Sequence, residues 1–349
     1  MRRIEEVFEE LQPPSSLEEL NIWDYFGREL PKWMAETSSS ASILFPNLRR
    51  LFLGGINYCE RLPPCGLLPN LEYLDIFGAD TVINVGPELS VGTSSGGGRA
   101  GVDASKYAFP KLETLMFRDM RNWQEWRWDE GTQAMPCLKY LSLERCPKLT
   151  SLPKGLPLHA TSLTKLDIFS ARSLTTIENL LSLTTLEVMS CGNLEKVSGL
   201  PALTTLDVRD CRKLQVLENL QSLRRMHLED DDMKSLPSYL LKRVQRSTKK
   251  RKRVQVAHLE KLVIHCKGTE LIRKICRRAS AEWPTIQDIQ QVHVLSWDRW
   301  VHVSYNKSPF RFTTDFNDTT SNSSSEMLSS SSGIGFGKEW SSVSSAKYA

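Results

Sequence analysis

The side chains best equipped for chemistry are six histidines (His159, His227, His258, His265, His293 and His302) and eight cysteines (Cys59, Cys65, Cys137, Cys146, Cys191, Cys211, Cys266 and Cys276). A zinc hydrolase needs two histidines one helical turn apart with a glutamate between them, and structural zinc or dithiol redox chemistry needs closely spaced cysteine pairs. Neither His-Glu-x-x-His nor Cys-x-x-Cys occurs, which removes the commonest metal and thioredoxin spacings. No motif pairs a cysteine or a serine with a histidine base. Gly96, Gly97 and Gly98 are followed by Arg99 and Ala100, without the lysine and hydroxyl that a phosphate-binding loop needs for phosphate and magnesium. Residue types and spacing therefore predict no enzyme, no catalytic residues, no cofactor and no metal.

What the chain does repeat is a scaffold. The pattern Leu-x-x-Leu-x-Leu, with Ile, Val, Met or Phe allowed at the later apolar positions, begins at Leu17, Leu48, Leu71, Leu112, Leu138, Leu163, Leu183, Leu203, Leu223 and Leu259. These starts number repeats one to ten. Apolar residues recur at positions 1, 4, 6, 12 and 15 of the clearest units, and position 9 holds a small residue, as at Ala79, Cys146, Ala171, Cys191 and Cys211. Alternation at positions 4 and 6 is the period of a strand, which sends positions 3, 5 and 7 to the opposite face. One such strand cannot bury its own apolar side, so the unit works only when stacked. The predicted fold is an α/β repeat, a curved leucine-rich-repeat solenoid with parallel strands on the concave face and an irregular or short-helical convex side. Small buried thiols at position 9 are expected as core residues where the chain turns beneath each strand.

The predicted organisation is a lead-in over 1–16, the solenoid over 17–303, and a disordered serine-rich tail over 304–349. Two insertions interrupt the array, one Gly/Ser-rich over 90–108 and one basic over 242–253. The stretch from Trp283, WPTIQDIQQVHVLSW, is expected to close the array with a last strand. Trp123 and Trp126, at positions 12 and 15 of repeat four, are expected in the core.

Positions 3, 5 and 7 would form a concave ribbon about 43 Å long at about 4.8 Å per strand. Large apolar side chains fall there: Trp23, Phe52, Tyr73, Phe77, Met116, Tyr140, Phe169 and Met189. They could anchor a protein partner or pack as ladders between neighbouring strands. Asp167, Glu187 and Asp207 occupy position 5 of three consecutive repeats, with Arg209 at position 7 of the last. Such a column would suit a basic partner, or form a solvated ridge offset by Lys165, Arg209 and Arg225. The run Lys249, Lys250, Arg251, Lys252 and Arg253, preceded by Lys242, Arg243 and Arg246, reads as a solvated loop, a nuclear-import signal or an acidic-surface contact. Without interleaved aromatics it does not argue for nucleic acid.

Composition sets the remaining bounds. With 40% hydrophobic and 25% charged residues and a net charge of +4, the chain has the balance of a soluble globular protein. No apolar run approaches the roughly 18 residues of a membrane span, and the opening MRRIEEVFEELQPP has no signal-peptide core. A cytoplasmic protein with reduced thiols is expected, with access to the nucleus if the basic run is read as an import signal.

Three segments go beyond generic repeat character: VFEELQPPSSLEELNIWDYFGRELPKWM, LPPCGLLPNLEYLDIFGADTVINVGPE and FPKLETLMFRDMRNWQEWRWDEG. In this order they resemble successive repeats of cereal coiled-coil, nucleotide-binding, leucine-rich-repeat disease-resistance proteins, over residues 7 to about 295. The resemblance implies an intracellular immune receptor whose repeats sense a pathogen effector or a guarded host protein and restrain a nucleotide-binding switch. That switch carries a phosphate loop in the family, and this sequence has none, so a truncated or derived form is expected, with a nucleotide-binding domain as a partner in trans. The alternative is a generic intracellular repeat scaffold or a substrate-recruiting adaptor unrelated to defence.

Overall fold

In the computed structural model, the structure describes residues 2–11, 13–35, 45–86, 108–128, 133–241 and 259–317. Most of the Gly/Ser-rich insertion, the basic run and residues 318–349 lie outside them.

Among the described residues, the main sheet has 13 strands. Ten come from positions 3 to 7 of the repeats, extended to position 8 in the last: Glu19–Trp23, Arg50–Gly54, Tyr73–Phe77, Thr114–Arg118, Tyr140–Glu144, Lys165–Phe169, Thr185–Met189, Thr205–Arg209, Arg225–Glu229 and Lys261–Cys266. Each pairs in parallel with the next, and repeat position meets repeat position, as in Thr185 with Thr205 and Leu186 with Leu206. The register follows from the leucines. A slip by one residue would turn positions 4 and 6 out of the core.

In repeat six, Leu163, Leu166, Ile168, Ala171, Leu174 and Ile177 are all buried, and Leu183, Leu186, Val188, Cys191, Leu194 and Val197 repeat the set one layer on. Each fully buried leucine contributes roughly 1.5–3 kcal/mol relative to exposure, and only stacking provides the second wall. Position 15 adds a short sheet on the opposite side, where Thr176–Glu178, Lys196–Ser198 and Val216–Glu218 pair in parallel. Trp123 and Trp126 are buried against Phe117, with ring centroids 4.9 and 5.5 Å from it.

The turn after each strand has its own rule. Position 8 is left-handed at Asp24, Gly55, Gly78, Asp119, Arg145, Ser170, Ser190 and Asp210, a conformation costing an L-residue roughly 1–2 kcal/mol. Glycine or a short polar side chain fills most of these sites. Arg145 is bulkier, and its guanidinium grips Asp119 with two hydrogen bonds, Nε–Oδ1 at 2.7 Å and Nη2–Oδ2 at 2.5 Å. Position 9 follows inward. The Cys191 thiol donates to the Met189 carbonyl at 3.5 Å, and that of Cys211 to Arg209 at 3.3 Å. All eight cysteines are free thiols, and burial pushes Cys146 up to about 12.

Both ends depart from bare repeats. The lead-in forms a helix, Arg2–Glu10, whose Phe8 ring lies 4.9 Å from that of Tyr25 and whose Phe8 carbonyl accepts the Trp33 indole N–H at 2.8 Å. It covers the exposed edge of the first layer. At the other end, Trp283–Ile286 is a short helix and Gln291–Ser296 continues the parallel sheet. The boundary expected at 304 is corrected: Val301–Asn306 and Arg311–Thr314 add two antiparallel strands. Val301, Val303 and Tyr305 alternate with polar residues, and Val303, Tyr305 and Phe312 are buried, with Trp283 against the last two. The serine-rich composition further along masked this local strand period.

Candidate binding surface

Positions 3, 5 and 7 stand on the concave sheet at one-strand intervals, which places the predicted residues on one continuous face. Their exposure differs. Trp23 is 55% exposed at the first edge, and its indole lies over Gly54, where a Cβ would come within 2.2 Å of the ring. Phe52, Tyr73, Phe77, Met116, Tyr140, Phe169 and Met189 are each partly buried.

Ladder packing accounts for much of that burial. The Phe52 and Tyr73 rings are 4.9 Å apart, and the Tyr73 hydroxyl donates to the Met116 sulfur at 3.2 Å. The Arg118 guanidinium sits 5.6 Å from the Phe77 ring centre while it hydrogen-bonds both oxygens of Asp75. These are lateral contacts between neighbouring repeats. The aromatic residues are thus braced in place, and rigid side chains lose less entropy when a partner covers them.

The acidic column is in register, Asp167 beside Glu187 beside Asp207. It is not bare. Tyr140 donates its hydroxyl to Asp167 Oδ2 at 2.7 Å, and Lys165 Nζ lies 3.0 Å from the same oxygen and 3.7 Å from Glu187. Asp167 is buried beneath them. Burial, and then the Asp167 hydrogen bond, push the Tyr140 phenol above its ordinary value, so it stays a donor. Arg209 donates Nε and Nη2 to the two oxygens of Asp207, at 3.0 and 2.7 Å. Burial opposes the Asp207 charge, yet hydrogen bonds from His227 and Arg209 hold its carboxyl below the usual range. Lys165 and Arg209 offset the column's charge, and Tyr140 and His227 were not foreseen as its partners.

Repeat nine adds what motif reading missed. Asp207 Oδ2 lies 3.1 Å from His227 Nδ1, and His227 Nε2 lies 3.3 Å from His265 Nδ1. Arg209 reaches Glu229 at 3.9 Å. The only signal in the sequence was positional, with His227 and Glu229 at positions 5 and 7 of one repeat and His265 at position 7 of the next. Lys249 to Arg253 lie outside the described residues.

Residues 2–79 match the family model described as R13L1/DRL21 LRRs. A disease resistance protein of Arabidopsis thaliana is 33% identical over 154 residues, 44% of this chain and 10% of the relative. The disease resistance RPP13-like protein 1 of the same species is 35% identical over 167 residues, 47% of this chain and 14% of the relative. Disease resistance protein RGA2 of Solanum bulbocastanum is 30% identical over 146 residues, 41% of this chain and 14% of the relative. The array is a leucine-rich-repeat solenoid similar to that of plant disease-resistance proteins. The chain spans 10% to 14% of the length of these relatives, and the likeness is therefore to their repeat region. A repeat region of this kind is a protein-interaction module. No helix among the described residues is long and apolar enough to cross a membrane.

Proposed function

We propose that the chain is the recognition surface of an intracellular plant immune receptor, contacting a pathogen effector or a guarded host protein and restraining a nucleotide-binding domain. The observation that carries the reading is the concave face itself. Its aromatic residues share one face of neighbouring strands and pack diagonally across the register, as Phe52 does on Tyr73, and Trp23 stands largely uncovered at one edge. Relatives named for disease resistance support the biological setting. The braced rows would bury apolar area against a partner, with Asp167, Glu187, Asp207 and Arg209 setting charge complementarity at their end.

The test is co-immunoprecipitation from challenged plant tissue with the wild-type chain and the Trp23→Ala, Phe77→Ala, Phe169→Ala variant. The variant is expected to lose its partner while keeping the wild-type circular dichroism spectrum. Undiminished recovery of the same partner would move the contact surface elsewhere on the solenoid. Within this reading the chain works in the cytoplasm, and Lys249 to Arg253 give it entry to the nucleus. Alanine at these five positions should hold a fluorescent fusion outside the nucleus, and an unchanged distribution would remove the import role.

A further inference from the structure

We propose that His227, Glu229 and His265 form a binding site for a divalent cation of the zinc class on the concave face. Strand periodicity puts His227 and Glu229, two residues apart, on one side of Arg225–Glu229. Parallel register then sets His265 directly beside Glu229. One ligand atom from each of the three lies within 4.8 Å of the other two, and all three residues are half-buried.

The distance between the imidazoles is the sharper observation. Nitrogens bound at 2.0–2.1 Å to one tetrahedral zinc stand about 3.3 Å apart, and His227 Nε2 and His265 Nδ1 are separated by 3.3 Å. The far nitrogen of His227 is already engaged, since Nδ1 faces Asp207 Oδ2 at 3.1 Å. With the proton on Nδ1, the Nε2 lone pair is turned toward His265, and carboxylate, histidine and cation form the relay that commonly orients a metal-bound imidazole. Arg209 fixes Asp207 in turn. Two imidazoles and one carboxylate favour zinc-like cations over magnesium or calcium, and three protein ligands leave one tetrahedral position for water or a partner's side chain.

A direct hydrogen bond from His265 Nδ1–H to His227 Nε2 is the competing account of the same distance, and Arg209, 3.9 Å from Glu229, competes for the carboxylate. Binding requires His265 to carry its proton on Nε2 instead of Nδ1, a tautomer change without net proton release that leaves both facing nitrogens free to ligate the cation. The experiment is titration of the metal-stripped chain with cobalt(II), followed by visible absorption, and displacement by zinc followed by calorimetry. One equivalent should give the intense d–d bands of a tetrahedral site without a thiolate charge-transfer band. His265→Asn and His227→Asn should each weaken binding at least tenfold, Asp207→Asn by about 10- to 100-fold, and His293→Asn not at all. If a histidine variant melts below the wild type, Glu229→Gln reports on the same site and should also weaken binding. No saturable spectrum, a thiolate band, or equal affinity in His265→Asn would each overturn the site.

Discussion

The two halves of the concave face share one backbone and carry opposite chemistry. Over repeats one to five, Phe52, Tyr73 and Met116 lean on one another through ring and sulfur contacts, and Arg118 covers the Phe77 ring while pairing with the buried Asp75. Over repeats six to ten the same positions hold Lys165, Asp167, Glu187, Asp207, Arg209, His227 and His265, linked by hydrogen bonds and ion pairs. Register decides which residues are neighbours. Side-chain type then decides whether the neighbours offer a partner apolar area or directed charge.

The largest effect should be common to both halves, because the core is. Leu115 and Leu186 are fully buried at position 4 of repeats four and seven. Replacing either with alanine should cost about 2–5 kcal/mol in urea unfolding. If Leu115→Ala were harmless while Leu186→Ala were not, the halves would be energetically separate units.

Two tyrosines of the first half test the contrast next, because Tyr140 in repeat five reaches across to Asp167 of repeat six. Tyr140 hydrogen-bonds a buried carboxylate and Tyr73 a thioether sulfur, a weak acceptor. Tyr140→Phe should lose about 1.5–3 kcal/mol, as expected for a hydrogen bond to a charged group, and Tyr73→Phe clearly less. Equal losses in the same denaturation series would cancel the distinction.

Titration sharpens the contrast further. Burial first, then the charges of Lys261 and His302, hold His293 below its ordinary value of 6.5. The unfolded chain takes up that proton first, so the stabilisation is fully present above 6.5 and is lost as pH falls toward the folded value. Hydrogen exchange of the metal-free chain should speed up around Gln291–Ser296 as pH drops below 6.5, after correction for intrinsic rates. His293→Asn should flatten that profile, and the aromatic half should show no such step.

The smallest stability effect belongs to Trp23→Ala. An indole 55% exposed at the sheet edge should shift the melting temperature of the isolated chain little, within about 0.5 kcal/mol. A large shift would make Trp23 an edge cover for the sheet and weaken its place among the partner anchors.

Much of this molecule was legible from spacing alone. Leucines at positions 1, 4 and 6, with Cys146, Ala171, Cys191 and Cys211 at position 9, state which residues face inward, since a period of two admits one buried face. The same count put Asp167, Glu187 and Asp207 in one row. It did not show Asp167 buried beneath Tyr140 and Lys165, because that burial comes from long side chains of adjacent strands leaning across it. It also missed the strands at Val301–Asn306 and Arg311–Thr314, whose short alternation was submerged in a serine-rich background.

The sequence by itself therefore determined the repeat, its register and the inward and outward positions, for these follow from local periodicity and the need to bury leucine. Tertiary structure decided which outward residues meet. His227 and His265 are 38 positions apart and fall within 3.3 Å of each other because the chain passes through a basic insertion and then returns in register. No motif in the linear chain encodes that proximity. It exists only when one strand is laid beside the next.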